Sequence, residues 1–195
     1  MYLFGASGHG KVIAEIAESN NLVVNGFLDT DLNKTFVLSY PVIHEVPSNK
    51  IEVIIAIGNN KVRKHIANEY GNFEYDKLIH ARSHVSKRTS IGYGTVIMAG
   101  VTVNVDVQIG EHCIINTNAS VDHDCVIADF VHISPNASLA GNVKVGEGTH
   151  IGIGATVIQG IKIGEWCTIG AGTVIIKDIP DGCTVVGNPG KVIKK

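Results

Sequence analysis

The sequence predicts a mixed architecture, a small α/β domain over residues 1–80 followed by a parallel β-helix of six-residue repeats over residues 81–195. Three observations carry this reading. An aliphatic residue recurs at every sixth position from Val85 to Ile175. Glycine is abundant, at 22 residues, while aromatic residues make up only 6%, a balance suited to many tight corners rather than to an ordinary globular core. Ahead of the repeat, the chain alternates short apolar runs with helical apolar spacing, the pattern of a small parallel sheet.

The first strand, Tyr2-Leu3-Phe4, runs into Gly5-Ala6-Ser7-Gly8-His9-Gly10 and then into a helical stretch from Lys11 to Ala17. A glycine turn at a helix N-terminus exposes backbone N–H groups at the positive end of the helix dipole, which suits a phosphate or pyrophosphate. The G-x-x-G-x-G spacing departs from the dinucleotide fingerprint. A segment of about 80 residues also has no room for a second mononucleotide half, so a Rossmann-like half-domain is expected rather than a full NAD site. A second strand is expected over residues 22–28, ending at Asp29, and a third over 51–57, ending at Gly58-Asn59-Asn60. A helix should follow with Val62, Ile66 and Ala67 on one face. Ligands of such sheets gather at the carboxyl ends of the strands. Ser7, Gly8, His9, Gly10, Asp29, Gly58 and Asn59 all lie there and are the candidate substrate-binding residues. Asp29 could accept from a ribose or base edge, or be a solvated turn residue.

The repeat itself runs Val85, Ile91, Ile97, Val103, Ile109, Ile115, Val121, Ile127, Ile133, Leu139, Val145, Ile151, Val157, Ile163, Ile169, Ile175. Four places after each comes a small or β-branched residue such as Thr95, Val101, Cys113, Ala119, Cys125, Ala155, Cys167 or Thr173. The place after the aliphatic is often Gly or Ala. A period of six fits neither a helix nor an alternating hairpin. It fits a short strand and a corner, with two inward side chains per side. Three sides close a triangular coil, and the sixteen hexads then rise roughly 25 Å at the usual strand spacing of about 4.8 Å. A single hexad could not bury itself, so the rungs must stack. Cysteines in the small-residue column are read as buried hydrophobes. Asn118 and Asn136, one coil apart, suit left-handed corners or an amide ladder.

The remaining composition mostly excludes. A net charge of −2, with no basic run before Lys191-Val192-Ile193-Lys194-Lys195, argues against nucleic acid as a partner. The four cysteines lack zinc spacing, so no metal is expected. No apolar run approaches the roughly 20 residues of a membrane span. The start lacks the regions of a signal peptide, so a cytoplasmic address is expected.

The hexad motif resembles that of the hexapeptide-repeat acyltransferases, which implies a left-handed parallel β-helix, a homotrimer, and acyl-CoA bound between neighbouring coils. Gly5-Ala6-Ser7-Gly8-His9-Gly10, Ala56-Ile57-Gly58-Asn59-Asn60, the segment around His123 and Val186-Gly187-Asn188-Pro189-Gly190-Lys191 narrow the resemblance. Over essentially the whole chain it is similar to the sialic acid O-acetyltransferase and UDP-4-amino-sugar N-acetyltransferase (NeuD/PglD-like) family. That resemblance implies a nucleotide-sugar bound by the N-terminal domain and acetyl-CoA as co-substrate.

Acyl transfer from a thioester to an amine needs a base, two aligned substrates and a donor for the oxyanion. His123, in Asp122-His123-Asp124, is the third residue of its hexad and should point outward near a corner. One coil later sits Gly141, which would leave room beside the imidazole and offer an N–H. The resemblance assigns His123 as catalytic base with Asp124 beside it, in place of the family's Glu, and aligns Asn116 with a substrate-site asparagine. It also places His132, Gly141, Ile153 and Ala171 against acetyl-CoA, and lets the loop 181–190 cover it. His132 and His150 should stack along one edge. The expected activity is transfer of acetyl to the 4-amino group of a nucleotide-linked sugar. O-acetylation of a sialic-acid-type sugar and a non-catalytic β-helix scaffold remain open beside it.

Overall fold

The computed structural model describes residues 1–194. The N-terminal region carries β1 (Tyr2–Phe4), α1 (Gly8–Ser19), β2 (Gly26–Leu28), β3 (Phe36–Val37), β4 (Tyr40–Ile43), β5 (Ile51–Ile55), α2 (Asn60–Glu69) and β6 (Phe73–Glu74). The sheet order is β3-β4-β2-β1-β5-β6, parallel except for the β3–β4 hairpin. The second strand is shorter than expected, because Leu22 and Val23 are exposed and only residues 26–28 find a partner in β1. At the first turn a Cβ on Gly10 would lie 2.3 Å from the Gly5 carbonyl oxygen, so the helix start and the turn can close only around a glycine.

The rest is a left-handed parallel β-helix. Two-residue strands β7–β23 recur every six residues from Leu78–Ile79 to Val174–Ile175, followed by β24 (Thr184–Val186) and β25 (Lys191–Lys194). They form three parallel faces. Face one runs β7-β10-β13-β16-β19-β22-β24, face two β8 to β23, and face three β9 to β21. β25 folds back antiparallel on β24 and covers an otherwise unpaired edge. The second residue of each strand is the predicted aliphatic. From Ile97 onward these side chains and the small-residue column, including Cys113, Cys125, Cys167 and Cys183, form one continuous buried core.

Corners repeat as regularly as rungs. Asp106, His112, Asn118, Asp124, Phe130, Asn136, Asn142 and Trp166 all have φ between 52° and 61°, and glycines occupy most of the intervening corners. Asn118 and Asn136 are therefore left-handed corners, as the sequence suggested. The bulky members of this column cost more in that conformation. Two of them are accommodated by glycines one coil earlier: Gly94 lies under the His112 ring and Gly148 under the Trp166 ring, each with no room for a Cβ.

The N-terminal domain sits on face one. Leu78, Val96 and Ile114, the outward residues of three stacked strands, share a buried cluster with Leu3, Ile13 and Ile16 of β1 and α1. Above them the outward positions of the same face become His132, His150 and Thr168. The change from aliphatic to polar marks where the domain's apolar contact gives way to Gly58 and His9, which meet His132.

Candidate active site

His123 lies at the corner between faces two and three, with Asp124 in the left-handed position beside it. Its ring is half exposed, and Nδ1 stands 2.7 Å from Asp124 Oδ2. A carboxylate only accepts, so Nδ1 carries the proton and Nε2 is left with its lone pair. Asp122 Oδ1 accepts from the His123 N–H at 2.8 Å and from Asn104 Nδ2 at 2.7 Å, which fixes the corner. The Asp124 hydrogen bond and the Asp122 charge raise the His123 pKa above its ordinary value. Gly141 stacks over the ring: a Cβ there would lie 2.5 Å from Cε1 and 2.7 Å from Nε2. The space beside the basic nitrogen exists because residue 141 has no side chain. The Gly141 N–H finds no acceptor among the described residues and is free to donate.

A second constellation occupies face one. A groove of about 490 Å³ is lined by Asn116, His132, Ser134, His150, Ile153 and Ala171, among others. The rings of His132 and His150 stack at 4.8 Å, as their spacing of one coil predicts, and His9 lies 6.4 Å from His132. Three histidines thus run from the glycine turn into the groove. His132 Nδ1 is 3.3 Å from the Gly58 carbonyl oxygen, and its Nε2 is 3.1 Å from Asn116 Nδ2. The carbonyl can only accept, so His132 carries its proton on Nδ1 and accepts from Asn116 on Nε2. Both nitrogens are engaged and the ring is no base. Burial first, then the charges of His150, Arg63 and His9, bring the His132 pKa down to about 3. Burial and Arg63 bring His9 down to about 4.

At the strand ends, the α1 N-terminus is open: Ser7 is its N-cap but makes no side-chain cap bond, and no acidic residue occupies the first turn. Asp29 turns inward instead. Its carboxylate accepts from the Ala6 N–H and the Lys34 ammonium on one oxygen and from the Asp31 N–H on the other. Burial pushes its pKa up, but the hydrogen bonds from Asp31, Lys34 and Ala6 prevail and leave it lowered. Asn59 caps α2, accepting from the Lys61 and Val62 N–H groups. A smaller cavity of about 290 Å³ lies beside Gly5 and Asp29, between Ile57 and the Val62, Ile66 and Tyr70 side of α2.

The sequence-derived residues therefore fall into three places. Ser7, Gly8, His9 and Gly10 form the helix-start turn, with Asp29, Gly58 and Asn59 at neighbouring strand ends. Asn116, His132, Ile153 and Ala171 share the face-one groove. Gly141 stands apart from that groove, against His123. The corner holding His123 is the one opposite face one.

The face of α2 turned to the coil differs from expectation. Val62 is exposed, and the buried positions are Asn60, Arg63 and Ile66. Arg63 is 1% exposed and was not singled out by the sequence reading. Its signal was there, a cation three residues before Ile66 on an apolar stripe.

Residues 1–70 match the PglD N-terminal domain family, and residues 142–177 match the bacterial transferase hexapeptide family as six repeats. UDP-N-acetylbacillosamine N-acetyltransferase of Bacillus subtilis (strain 168) is 42% identical over 108 residues, a stretch covering 50% of this chain and 50% of that protein. A mutant of perosamine N-acetyltransferase from Caulobacter crescentus, solved with CoA and GDP-perosamine, is 34% identical. It superposes with a TM-score of 0.95, over 100% of this chain and 96% of that one. The acetyltransferase domain of PglB from Neisseria gonorrhoeae, solved also with acetyl coenzyme A, is 39% identical with a TM-score of 0.91 over 98% of each chain. Among the described residues no group of acidic, histidine or cysteine side chains is placed to hold a metal, and no helix is long and apolar enough to cross a membrane.

Proposed function

The chain belongs to the NeuD/PglD-like family of hexapeptide-repeat sugar acetyltransferases, and on that premise we propose that it moves acetyl from acetyl-CoA to the 4-amino group of a nucleotide-linked deoxy-sugar. The observation that carries the reading is the His123–Asp124 pair with its free Nε2 beside Gly141. The substrate amine, as its free base, attacks the thioester carbonyl. His123 Nε2 takes the proton lost as the C–N bond forms, and the imidazolium is stabilised by Asp124 on the other nitrogen. The tetrahedral oxyanion accepts from an N–H such as that of Gly141, then collapses with release of the CoA thiolate. No covalent enzyme intermediate is needed.

The open α1 N-terminus at Ser7, Gly8, His9 and Gly10 suits the diphosphate of a nucleotide-sugar. UDP is the proposed nucleotide, after the relative from Bacillus subtilis. The face-one groove, apolar but edged by Asn116 and His132, suits acyl-CoA. His123 and this groove lie on opposite sides of one triangular coil, which supports a homotrimer in which one copy's corner meets a neighbour's groove. A cytoplasmic enzyme in glycan biosynthesis is the setting that fits such substrates.

Acetyl-CoA consumption is the test, assayed against a UDP-4-amino-sugar and against a sialic acid. Turnover is expected with the amine, and His123→Ala should cut kcat by about a hundredfold or more with fold and assembly intact. Turnover of the sialic acid alone would replace N-acetylation with O-acetylation, and an unaffected His123→Ala variant would point to a scaffold.

A further inference from the structure

Arg63 is a cation enclosed between the N-terminal domain and the coil, with no carboxylate partner within ion-pair distance among the described residues. All five of its N–H donors go to neutral oxygens. Nε donates to the His112 carbonyl at 2.7 Å, and Nη2 to the Phe130 carbonyl at 2.8 Å and to Asn60 Oδ1 at 2.9 Å. Nη1 donates to the Ile57 carbonyl at 2.9 Å and the Gly58 carbonyl at 3.3 Å. Asn60 Nδ2 in turn donates to the Gly148 carbonyl at 3.0 Å. Residues 112, 130 and 148 are one corner of three successive coils, and their carbonyls have no partner in the coil's own ladder. Lys64, the next residue of α2, pairs with Glu147 and lies over the Phe130 and Trp166 rings of the same corner.

Pinning a helix to carbonyls needs no charge, as Asn60 demonstrates at Gly148. A buried guanidinium carries a desolvation cost that a neutral amide would avoid. The difference lies in what else Arg63 reaches. The Gly58 carbonyl that it fixes is the acceptor for His132 Nδ1, and His132 Nε2 receives Asn116 in the groove. The run Arg63–Gly58–His132–Asn116 joins the end of β5 to the groove without a gap.

We propose that Arg63 is a positioning residue for the acyl donor: through the Gly58 carbonyl it holds His132 as the Nδ1-protonated ring against the face-one groove. The assignment rests on that groove being the acyl-CoA site. Its charge acts in the same sense, since Arg63 lowers the pKa of His9, His112, His132 and His150 alike. With the guanidinium in place the groove meets the uncharged pantetheine arm as an uncharged wall. Without it, the Gly58 carbonyl is no longer fixed and the Nδ1 proton of His132 loses its set acceptor.

The test uses Arg63→Gln, which is neutral and offers two donors, and Arg63→Lys, which keeps the charge but loses the fork. Proton–nitrogen NMR correlations of the imidazole rings report tautomer and charge independently of turnover. In the wild type His132 should stay neutral and Nδ1-protonated from pH about 7 down to about 5. In Arg63→Gln it should become a tautomer mixture across that window, while burial still keeps the ring uncharged. KM for acetyl-CoA should rise about tenfold in both variants while kcat stays within about threefold. Should Arg63→Gln fail to fold, Asn60→Ala removes one support of the guanidinium and should raise the same KM by about threefold. An unchanged His132 spectrum with KM within about twofold, accompanied only by a lower melting temperature, overturns the proposal. Calorimetric titration of the wild type with CoA separates the two readings. No binding would defeat the acetyl-CoA assignment, while the NMR result would still decide what Arg63 does to His132.

Discussion

Gly141→Ala isolates the catalytic geometry from the fold. A Cβ at this position would lie 2.5 Å from His123 Cε1 and 2.7 Å from Nε2. Carbon contacts settle near 3.5–4.0 Å, so the imidazole must retreat by about 1 Å or rotate away. Retreat stretches the 2.7 Å bond to Asp124 and fills the space in front of the basic nitrogen. A misplacement of about 1 Å can cost roughly a hundredfold in rate, and that is the expected fall in kcat. The backbone tolerates the change, because Gly141 is not among the glycines with positive φ, and the ring it meets is exposed and movable. Replacing glycine in a permitted conformation removes freedom from the unfolded chain, a stabilising effect of about 0.4–1 kcal/mol. The melting temperature should therefore hold or rise slightly while activity collapses. Steady-state kinetics and a thermal melt on the same preparation measure both. Activity within about threefold of wild type, with the fold intact, would refute the claim that this opening is where the chemistry occurs.

Two further outcomes concern pH. The His123 pKa is raised, chiefly by the Asp124 hydrogen bond. A base must be unprotonated, so kcat/KM should fall as pH drops through a value above the ordinary 6.5 or so, and Asp124→Asn should move that limb to lower pH. A limb unmoved in Asp124→Asn would remove the carboxylate from the mechanism. Stability has the opposite dependence to that of an exposed, paired histidine. Burial lowers His9 and His112 to about 4 and His132 to about 3. From about pH 6.5 downward the unfolded chain binds protons that the folded chain refuses, so stability is lost as pH falls toward those values. The melting temperature should drop steadily between pH about 6.5 and about 4, and His132→Gln should shallow that slope by roughly one proton. A flat melting curve across this range would mean the histidines are not buried as described.

Much of the site was readable because the coil is periodic. With six residues per side, position 141 must stand over 123 and position 150 over 132, so an opening beside one histidine and a stack at the next followed from arithmetic. The glycine turn was readable for a local reason, since a strand, a sharp turn and a helix start are written within ten consecutive residues. Other features depended on contacts distant in the chain. The partners of Asp29, Lys34 and the Ala6 N–H, are set by the fold and not by its neighbours in the strand pattern. Val62, Ile66 and Ala67 define a plausible apolar face, yet α2 turns Arg63 inward because the coil corner offers it unpaired carbonyls rather than a hydrophobic surface.

The sequence by itself determined the coil, its core, its corners and the pairing of His123 with Asp124, because each follows from a repeat or from neighbours along the chain. Only the tertiary structure decided which face the N-terminal domain covers, and that both ring nitrogens of His132 are engaged while His123 Nε2 is left open. The domain's placement and the contact of His132 with Gly58 rest on hydrogen bonds between residues 49 to 88 positions apart in the chain. The free carbonyls at a left-handed corner have no signature in the identity of the residue that bears them.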